Sequence, residues 1–310
     1  MTVAMSTVRR IRAERLAALA EQCDAIDWHL LSLLDVHRYA TTRQLAQLVN
    51  LSQVYISARS ALRQASRRLS RHRRLGLVDH LERRIGGVRA GSSGFVWYLT
   101  EPGHRLVAPR DTTRHRHNEP SHTFLAHTLA VTEARFVIER AAHDAGGHLS
   151  LLRTEPNCWR SWTGLGGARH WLKPDLEVIT GTADGEEDHW LIEVDLGTEN
   201  PARLLAKCHH YQDHLRTGTE QAQLGYYPQV LWVCNQPKRA DWLREHIATD
   251  AELLDELFVV VGSEEELQQV VCEGRRGGDA HSPAWEVPLP SGYLGTDSGP
   301  CSTDLTLLSI

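Results

Sequence analysis

The stretch WLIEVDLG, residues 190–197, constrains the fold most, because it is typical of an interior strand that carries two acidic residues. Period-2 alternation places Leu191, Glu193 and Asp195 on one face, opposite a face of large apolar side chains. Two carboxylates side by side on a covered face repel each other and lose hydration. Something must compensate for them, and a divalent cation is one candidate.

A second acidic strand precedes this one. In LKPDLEVIT the alternation puts Asp175 and Glu177 on the same face, and the turn TADGEED that follows lets the two strands pair as a hairpin. We therefore expect Asp175, Glu193 and Asp195 to converge at one end of the hairpin. Such a cluster suits Mg²⁺ or Mn²⁺, which bind carboxylates, waters and phosphate oxygens. The alternative is an exposed sheet edge whose acids are solvated.

The order of elements around these strands predicts an α/β domain. An apolar helix over residues 121–147 is followed by the strands LSLLRT, HWLKPDLEVIT and WLIEVDLG, then by the helix NPARLLAKCHHYQDHL. The strands PQVLWVCN and LFVVVG, with the helix RADWLREHIA between them, complete the pattern. Alternation of this kind is typical of a sheet covered by helices.

Charge divides the chain into two parts, although the net charge of all 310 residues is only −5. Residues 1–118 hold 20 arginines, no lysine and 9 acidic residues, a net charge of +11, whereas residues 119–310 carry −16. This division suggests a polyanion-binding module attached to a second domain. The six cysteines are widely spaced and predict neither a zinc site nor a disulfide framework. Because the sequence has no apolar run of membrane-spanning length, we expect a cytoplasmic location.

The basic part predicts a winged helix-turn-helix. Three helices, the third beginning near Ser52, are followed by two β-rich runs around a Gly-rich tip. The third helix places four arginines at i, i+4 spacing on one face, which indicates phosphate binding to double-stranded DNA. The residues expected to contact DNA are Gln53, Tyr55, Arg59, Arg63, Arg67 and Arg71 on and before this helix, and Arg89 at the wing.

Two motifs carry a resemblance to a known family. Pro174-Asp175, followed by Glu193-Val194-Asp195, resembles the PD-(D/E)xK motif of restriction-endonuclease-like nucleases. The combination of a winged helix with KPDLEV and IEVDLGTENPARLLAKCHHY resembles the plasmid replication-relaxation family, related to the MobC-type relaxases of mobilisable plasmids. The resemblance covers roughly residues 26–270.

The resemblance implies a restriction-endonuclease-like mixed sheet flanked by helices, with Asp175 and Glu193 as metal ligands and Asp195 as a third acid. Asp195 stands where the motif has a lysine, and Lys207 on the next helix is expected to replace that lysine in stabilising the developing charge. The alternative role of Lys207 is a simple ion pair with Glu193 or Asp195. The implied activity is metal-dependent nicking of one DNA strand at a specific site, so the catalytic set is Asp175, Glu193, Asp195 and Lys207, with Mg²⁺ or Mn²⁺ as cofactor.

The expected partners are double-stranded DNA, other relaxosome or mobilisation proteins and a second copy of the chain. Two other functions remain open: a non-catalytic replication or transcription regulator, and a restriction-type endonuclease that acts as a symmetric dimer. The expected domains are a basic N-terminal helix (1–25), the winged helix (26–111), a linker (112–120), the nuclease-like domain (121–272) and a flexible tail (273–310).

Overall fold

The computed structural model describes residues 11–51, 55–81, 94–108, 119–164, 166–183 and 185–274. These residues form a mixed α/β protein, as the sequence predicts, and they contain ten α-helices and ten strands. None of the helices in these ranges is both long enough and apolar enough to cross a membrane. The predicted linker (apart from its last two residues), the tail beyond Gly274 and the wing tip with Arg89 lie outside the described residues.

The N-terminal unit consists of five helices and a small antiparallel sheet with strand order β1-β3-β2. Its elements are α1 (Ala13–Ala20), α2 (Ala25–His37), β1 (Ala40–Thr41), α3 (Thr42–Asn50), α4 (Ala58–Leu75), β2 (Val78–His80), β3 (Val96–Leu99) and α5 (Glu101–Val107). Capping boxes at Asp24 and Thr41 begin α2 and α3. The third predicted helix begins at Ala58 rather than near Ser52, because Ser57 caps it by accepting from the Ser60 N–H.

The second unit begins with a long helix and continues as alternating strands and helices. Its elements are α6 (His122–Asp144), β4 (His148–Thr154), β5 (Arg160–Thr163), β6 (Arg169–Leu172), β7 (Leu176–Gly181), β8 (Glu187–Asp195), α7 (Pro201–Arg216), α8 (Thr219–Leu224), β9 (Gln229–Cys234), α9 (Pro237–Thr249), a 3₁₀ turn (Asp255–Leu257), β10 (Phe258–Val261) and α10 (Glu264–Glu273).

A mixed five-stranded sheet of order β10-β9-β8-β7-β4 forms the centre of this unit. Strands β8, β9 and β10 run parallel to one another, and β7 is antiparallel to both β4 and β8. One apolar cluster joins α6 and α10 to one face of the sheet, and a second cluster joins α7 and α9 to the other face. The sheet is therefore sandwiched between two helical layers, as expected.

The two units share one apolar core. The cluster that contains α6 and the inner sheet face also contains the buried leucines of α2 and α3. Polar contacts reinforce the junction: Gln44 on α3 donates through Nε2 to the Leu129 carbonyl at 2.8 Å and to Glu133 at 2.9 Å. A large apolar interface of this kind holds the two units in a defined arrangement.

The segment HWLKPDLEVIT, predicted as one strand, forms two. Residues before Pro174 belong to β6, which pairs with β5 as a separate two-stranded sheet, whereas β7 begins at Leu176 in the central sheet. Proline has no N–H to donate to a strand ladder, so a break at Pro174 is physically reasonable.

Candidate active site and nucleic-acid interface

Asp175 lies just before β7, where the hairpin of β7 and β8 opens. The register that pairs Leu176 with Ile192 brings the Asp175 side chain beside β8, and its Oδ2 accepts from the Val194 N–H at 2.8 Å. Its other oxygen, Oδ1, lies 2.9 Å from Nε2 of His127 on α6. This hydrogen bond to Asp175 raises the pKa of His127, which favours a cationic imidazole.

Glu193 lies on β8 in the same part of the sheet and is buried. Tyr211 on α7 donates its hydroxyl to Oε1 at 2.8 Å, and Lys207 on the same helix donates to Oε2 at 3.1 Å. Burial, followed by the nearby charge of Asp175, raises the pKa of Glu193. The structure therefore brings together Asp175 and Glu193, two of the predicted acids, as a pair of like charges in a desolvated position.

Lys207 supplies a second positive charge beside this pair, on the Glu193 side. Its ammonium contacts Glu193 at 3.1 Å and Glu199 at 3.3 Å. Burial lowers the pKa of Lys207, but the charges of Glu193, Glu199 and Asp175 outweigh burial and raise that pKa above its usual range. Lys207 is thus a fixed cation at neutral pH. The ion pair between Lys207 and Glu193, one of the two roles that the sequence predicted for Lys207, is present. This pair is compatible with the other predicted role, stabilisation of the developing charge.

Asp195, the third predicted acid, makes different contacts from Asp175 and Glu193. Its carboxylate accepts from Nε of Arg239 on α9 at 2.7 Å, and from the Gly197 N–H at 3.1 Å. The charge of this third predicted ligand is therefore compensated by an arginine. The expected convergence of all three acids is replaced by a pair, Asp175 with Glu193, and a separate ion pair.

Over the described ranges, no group of three or more His, Cys, Asp or Glu side chains is arranged to hold a metal ion. Asp175 and Glu193 nevertheless fit the donor set that Mg²⁺ or Mn²⁺ uses, since such ions often take only one or two carboxylates and fill their remaining positions with water and phosphate oxygens. The burial of Glu193 close to the charge of Asp175 favours a cation, because a cation would relieve the repulsion between the two carboxylates.

A small cleft of about 30 Å³, open to solvent, lies between the end of α2 and the start of α6, and Asp175 and His127 are among the residues that line it. Arg38 also lines it and has a φ of 63°, in the left-handed region that residues with a Cβ rarely adopt. Its guanidinium lies 4.0 Å from Glu155 across the cleft. Backbone conformations of this kind are concentrated at functional sites, and here one places an arginine in the lining of the cleft that Asp175 also lines.

Sequence reasoning missed His127 and Tyr211 as parts of this site. His127 was one histidine in an apolar helix, 48 positions from Asp175, and nothing local connects the two. Tyr211 lies in the buried stripe of α7, and its hydroxyl contacts Glu193. Its i, i+4 spacing from Lys207 was the signal that could have identified it.

The arginine row of α4 is divided by its contacts. Arg59, Arg63 and Arg67 are exposed and have no ion pair within the part of the chain that the structure describes. Arg71, by contrast, is paired with the buried carboxylate of Asp27 on α2. Three of the four predicted cations are therefore available to a polyanion, whereas Arg71 joins α4 to α2.

The other residues predicted to contact DNA are Gln53, Tyr55 and Arg89. Tyr55 is half-buried and packs against Ala46, Ala61 and Ala65, between α3 and α4. Gln53 and Arg89 lie outside the described residues.

Comparison with known proteins identifies the family of this chain. A family model described as replication-relaxation matches residues 31–230, which include the second half of α2, all of α3 to α5, the acid pair and Lys207. No curated protein and no solved structure matches the chain. The family match covers most of the chain, from the N-terminal unit to the start of β9, and the chain therefore belongs to the replication-relaxation family.

Proposed function

We propose that this protein is a metal-dependent DNA nickase of a plasmid or integrated mobile element. Its family supports a role in DNA replication or relaxation at a coarse level. The observation that carries the finer proposal is the convergence of three residues: Asp175 just before β7, Glu193 on β8 and Lys207 on α7, with Glu193 desolvated and Lys207 cationic.

The N-terminal unit is proposed to hold the duplex as a winged helix-turn-helix. Its α4 presents Arg59, Arg63 and Arg67 at i, i+4 spacing on one exposed face, which suits contact with successive phosphates. The shared core between the units keeps this face and the acid pair in a constant relation. Bound DNA is thereby presented to the second unit in one register.

At the acid pair, Asp175 and Glu193 would hold Mg²⁺ or Mn²⁺, which when bound polarises the phosphoryl group and lowers the pKa of a coordinated water. Lys207 stays protonated, so its role is a fixed positive charge beside the phosphate rather than a base. Its ammonium has three N–H donors, of which Glu193 and Glu199 take two. Tyr211 holds the Glu193 carboxylate in place through its hydroxyl.

The test is incubation of the purified protein with supercoiled plasmid that carries the DNA flanking its own gene, with Mg²⁺, with Mn²⁺ and with a chelator. Conversion to open circles that requires metal and is lost in Asp175→Asn, Glu193→Gln and Lys207→Met is the expected result. Asp213→Asn is the matched control, because Asp213 lies on α7 with Lys207 but is exposed and pairs only with Arg216 among the described residues.

Other outcomes would replace the proposal. Binding of the plasmid without cleavage in either metal would identify a non-catalytic regulator whose second unit serves another purpose. Linear product formed by a dimer would identify a restriction-type endonuclease. Nicking that survives Asp175→Asn and Glu193→Gln would place the reaction elsewhere in the protein.

A further inference from the structure

A two-stranded hairpin, β5 with β6, lies outside the central sheet and has no part in the proposed reaction. It is inserted between β4 and β7, and its strands pair only with each other among the described strands. Leu172 is buried in the core beneath α7, and the Trp162 ring lies 5.0 Å from the His214 ring on that helix. The hairpin is therefore held against the body of the protein.

Four side chains of the hairpin and its ends form a strip of aromatic rings and cations, which we call the tryptophan strip: Trp159, Arg169, Trp171 and Lys173. The Arg169 guanidinium lies 4.6 Å from the Trp171 ring, and the Lys173 ammonium lies 4.4 Å from the Trp159 ring. The two rings are 6.4 Å apart at 75°. The strip thus runs continuously as cation, ring, ring, cation.

Exposure makes this strip unusual. Trp171 is 45% exposed, although a tryptophan that is not needed at a surface normally buries its large apolar area. Arg169 and Lys173 are also exposed and make no ion pair with another described residue. Trp159, the second ring, is half-buried. An exposed ring with a half-buried ring next to it, beside cations that make no ion pair, matches the two parts of a nucleotide, its base and its phosphate.

Local charge supports a polyanionic ligand. Residues 156–174 contain no aspartate or glutamate, although the chain has 39 acidic residues and most lie in this second unit. Arg160, the third arginine or lysine of the hairpin segment, is used internally by Glu177 and Glu220. The positive charge left at the surface is that of the tryptophan strip, within a unit that otherwise repels phosphate.

The strip also adjoins the candidate active site, since Lys173 is two positions before Asp175 in the chain. Bases in a duplex are already stacked and paired, so a surface that stacks bases selects single strands. We propose that the tryptophan strip binds single-stranded DNA next to the cleavage point, with bases stacked on Trp171 and Trp159 and phosphates beside Arg169 and Lys173. Its position beside the scissile phosphate rests on the proposed function; its binding of a single strand does not.

The experiment measures binding of a fluorescein-labelled oligothymidylate to the full chain by anisotropy, with chelator present so that no cleavage occurs. Trp171→Ala is expected to weaken binding by about fivefold or more, the effect of removing one stacked base, and Trp171→Phe by much less because a ring is kept. Arg169→Gln with Lys173→Gln is expected to weaken binding and reduce its salt dependence. Arg140→Gln is the matched control, since Arg140 lies on α6, on the opposite face of the sheet.

A second measurement locates the strand directly. Ultraviolet cross-linking of a bromodeoxyuridine-containing single strand, mapped by mass spectrometry, is expected to label the peptide that contains Trp171. Equal affinity of Trp171→Ala and the unchanged protein, or cross-links confined to α4, would overturn the inference. Binding of oligouridylate much more tightly than oligothymidylate would replace DNA with RNA as the ligand and would also overturn it.

The two proposals fail separately. Loss of nicking in Asp175→Asn, together with unchanged single-strand binding by Trp171→Ala, would refute the tryptophan strip and leave the nickase. Absence of nicking under all metal conditions, together with weakened binding by Trp171→Ala, would refute the nickase and leave a single-strand-binding surface.

Discussion

Asp195 offers the sharpest test of how the strand acids divide their roles. Its side chain is 2% exposed and that of Arg239 is 14% exposed, and Nε of Arg239 donates to Oδ2 at 2.7 Å. A second contact from Nη2 to Oδ1 is 3.5 Å, so the pair approaches bidentate geometry. Asp195→Asn preserves the volume and removes the negative charge, which leaves the guanidinium largely buried without a counter-charge.

The expected loss follows from these contacts. Breaking a buried ion pair by removing one partner costs about 3–5 kcal/mol. The loss here should lie at the lower end, because asparagine keeps an oxygen acceptor and Arg239 also donates to the Glu199 carbonyl at 2.7 Å. We expect Asp195→Asn to lower the free energy of unfolding by about 2–3 kcal/mol.

The assay is a double-mutant cycle in urea with Asp195→Asn, Arg239→Gln and the double variant. Residues in direct contact in one ion pair should show a coupling energy of about 1–2 kcal/mol. The exposed pair of Asp213 and Arg216 is the matched control, and its coupling should be below about 0.5 kcal/mol because both side chains are screened by solvent.

One result would refute this reasoning. If Asp195→Asn leaves stability unchanged, shows no coupling to Arg239 and abolishes metal-dependent nicking as completely as Asp175→Asn, then Asp195 acts as a metal ligand. The ion pair would then be incidental to the function of both residues.

Three further predictions concern the fold. Burial, followed by the charge of Arg135, lowers the pKa of His37 to about 3. Below the pKa of a histidine in the unfolded chain, the unfolded chain therefore takes up a proton that the folded chain does not. The free energy of unfolding should fall by roughly 2 kcal/mol between pH 7 and pH 5, and His37→Gln should remove that loss. Gly103→Ala should cost about 1–3 kcal/mol, because its Cβ would lie 2.0 Å from the Leu77 carbonyl oxygen. Asp27→Asn should cost about 3–5 kcal/mol, since this buried carboxylate contacts two arginines and a histidine of α4.

Urea unfolding followed by circular dichroism measures all three, each with its own control. An unchanged pH slope in His37→Gln would show that other groups govern the acid response. Gly94→Ala should be nearly neutral because its Cβ meets nothing closer than 3.5 Å, and an equal effect at both glycines would contradict the steric argument. Asp24→Asn should cost less than about 1 kcal/mol, since asparagine also caps helices and Asp24 is 55% exposed.

Local patterns in the sequence were sufficient for the pairing of the two acidic segments and for the acid pair. Alternation in WLIEVDLG and the turn after LKPDLEVIT placed Asp175 and Glu193 at the same end of one hairpin, because strand pairing across a short turn leaves little choice of register. Spacing of i, i+4 likewise placed Arg59, Arg63 and Arg67 on one face of α4.

The partners of each charge were decided only by the tertiary structure. Asp195 meets Arg239 across 44 positions, Arg71 meets Asp27 across 44 and His127 meets Asp175 across 48. Such contacts depend on how helices cross the sheet and each other, which no local period encodes. The sequence by itself therefore determined which charged residues share one face of a helix or strand. Packing determined which of those charges have no ion-pair partner, because a buried charge needs a counter-charge and the fold decides where that counter-charge lies.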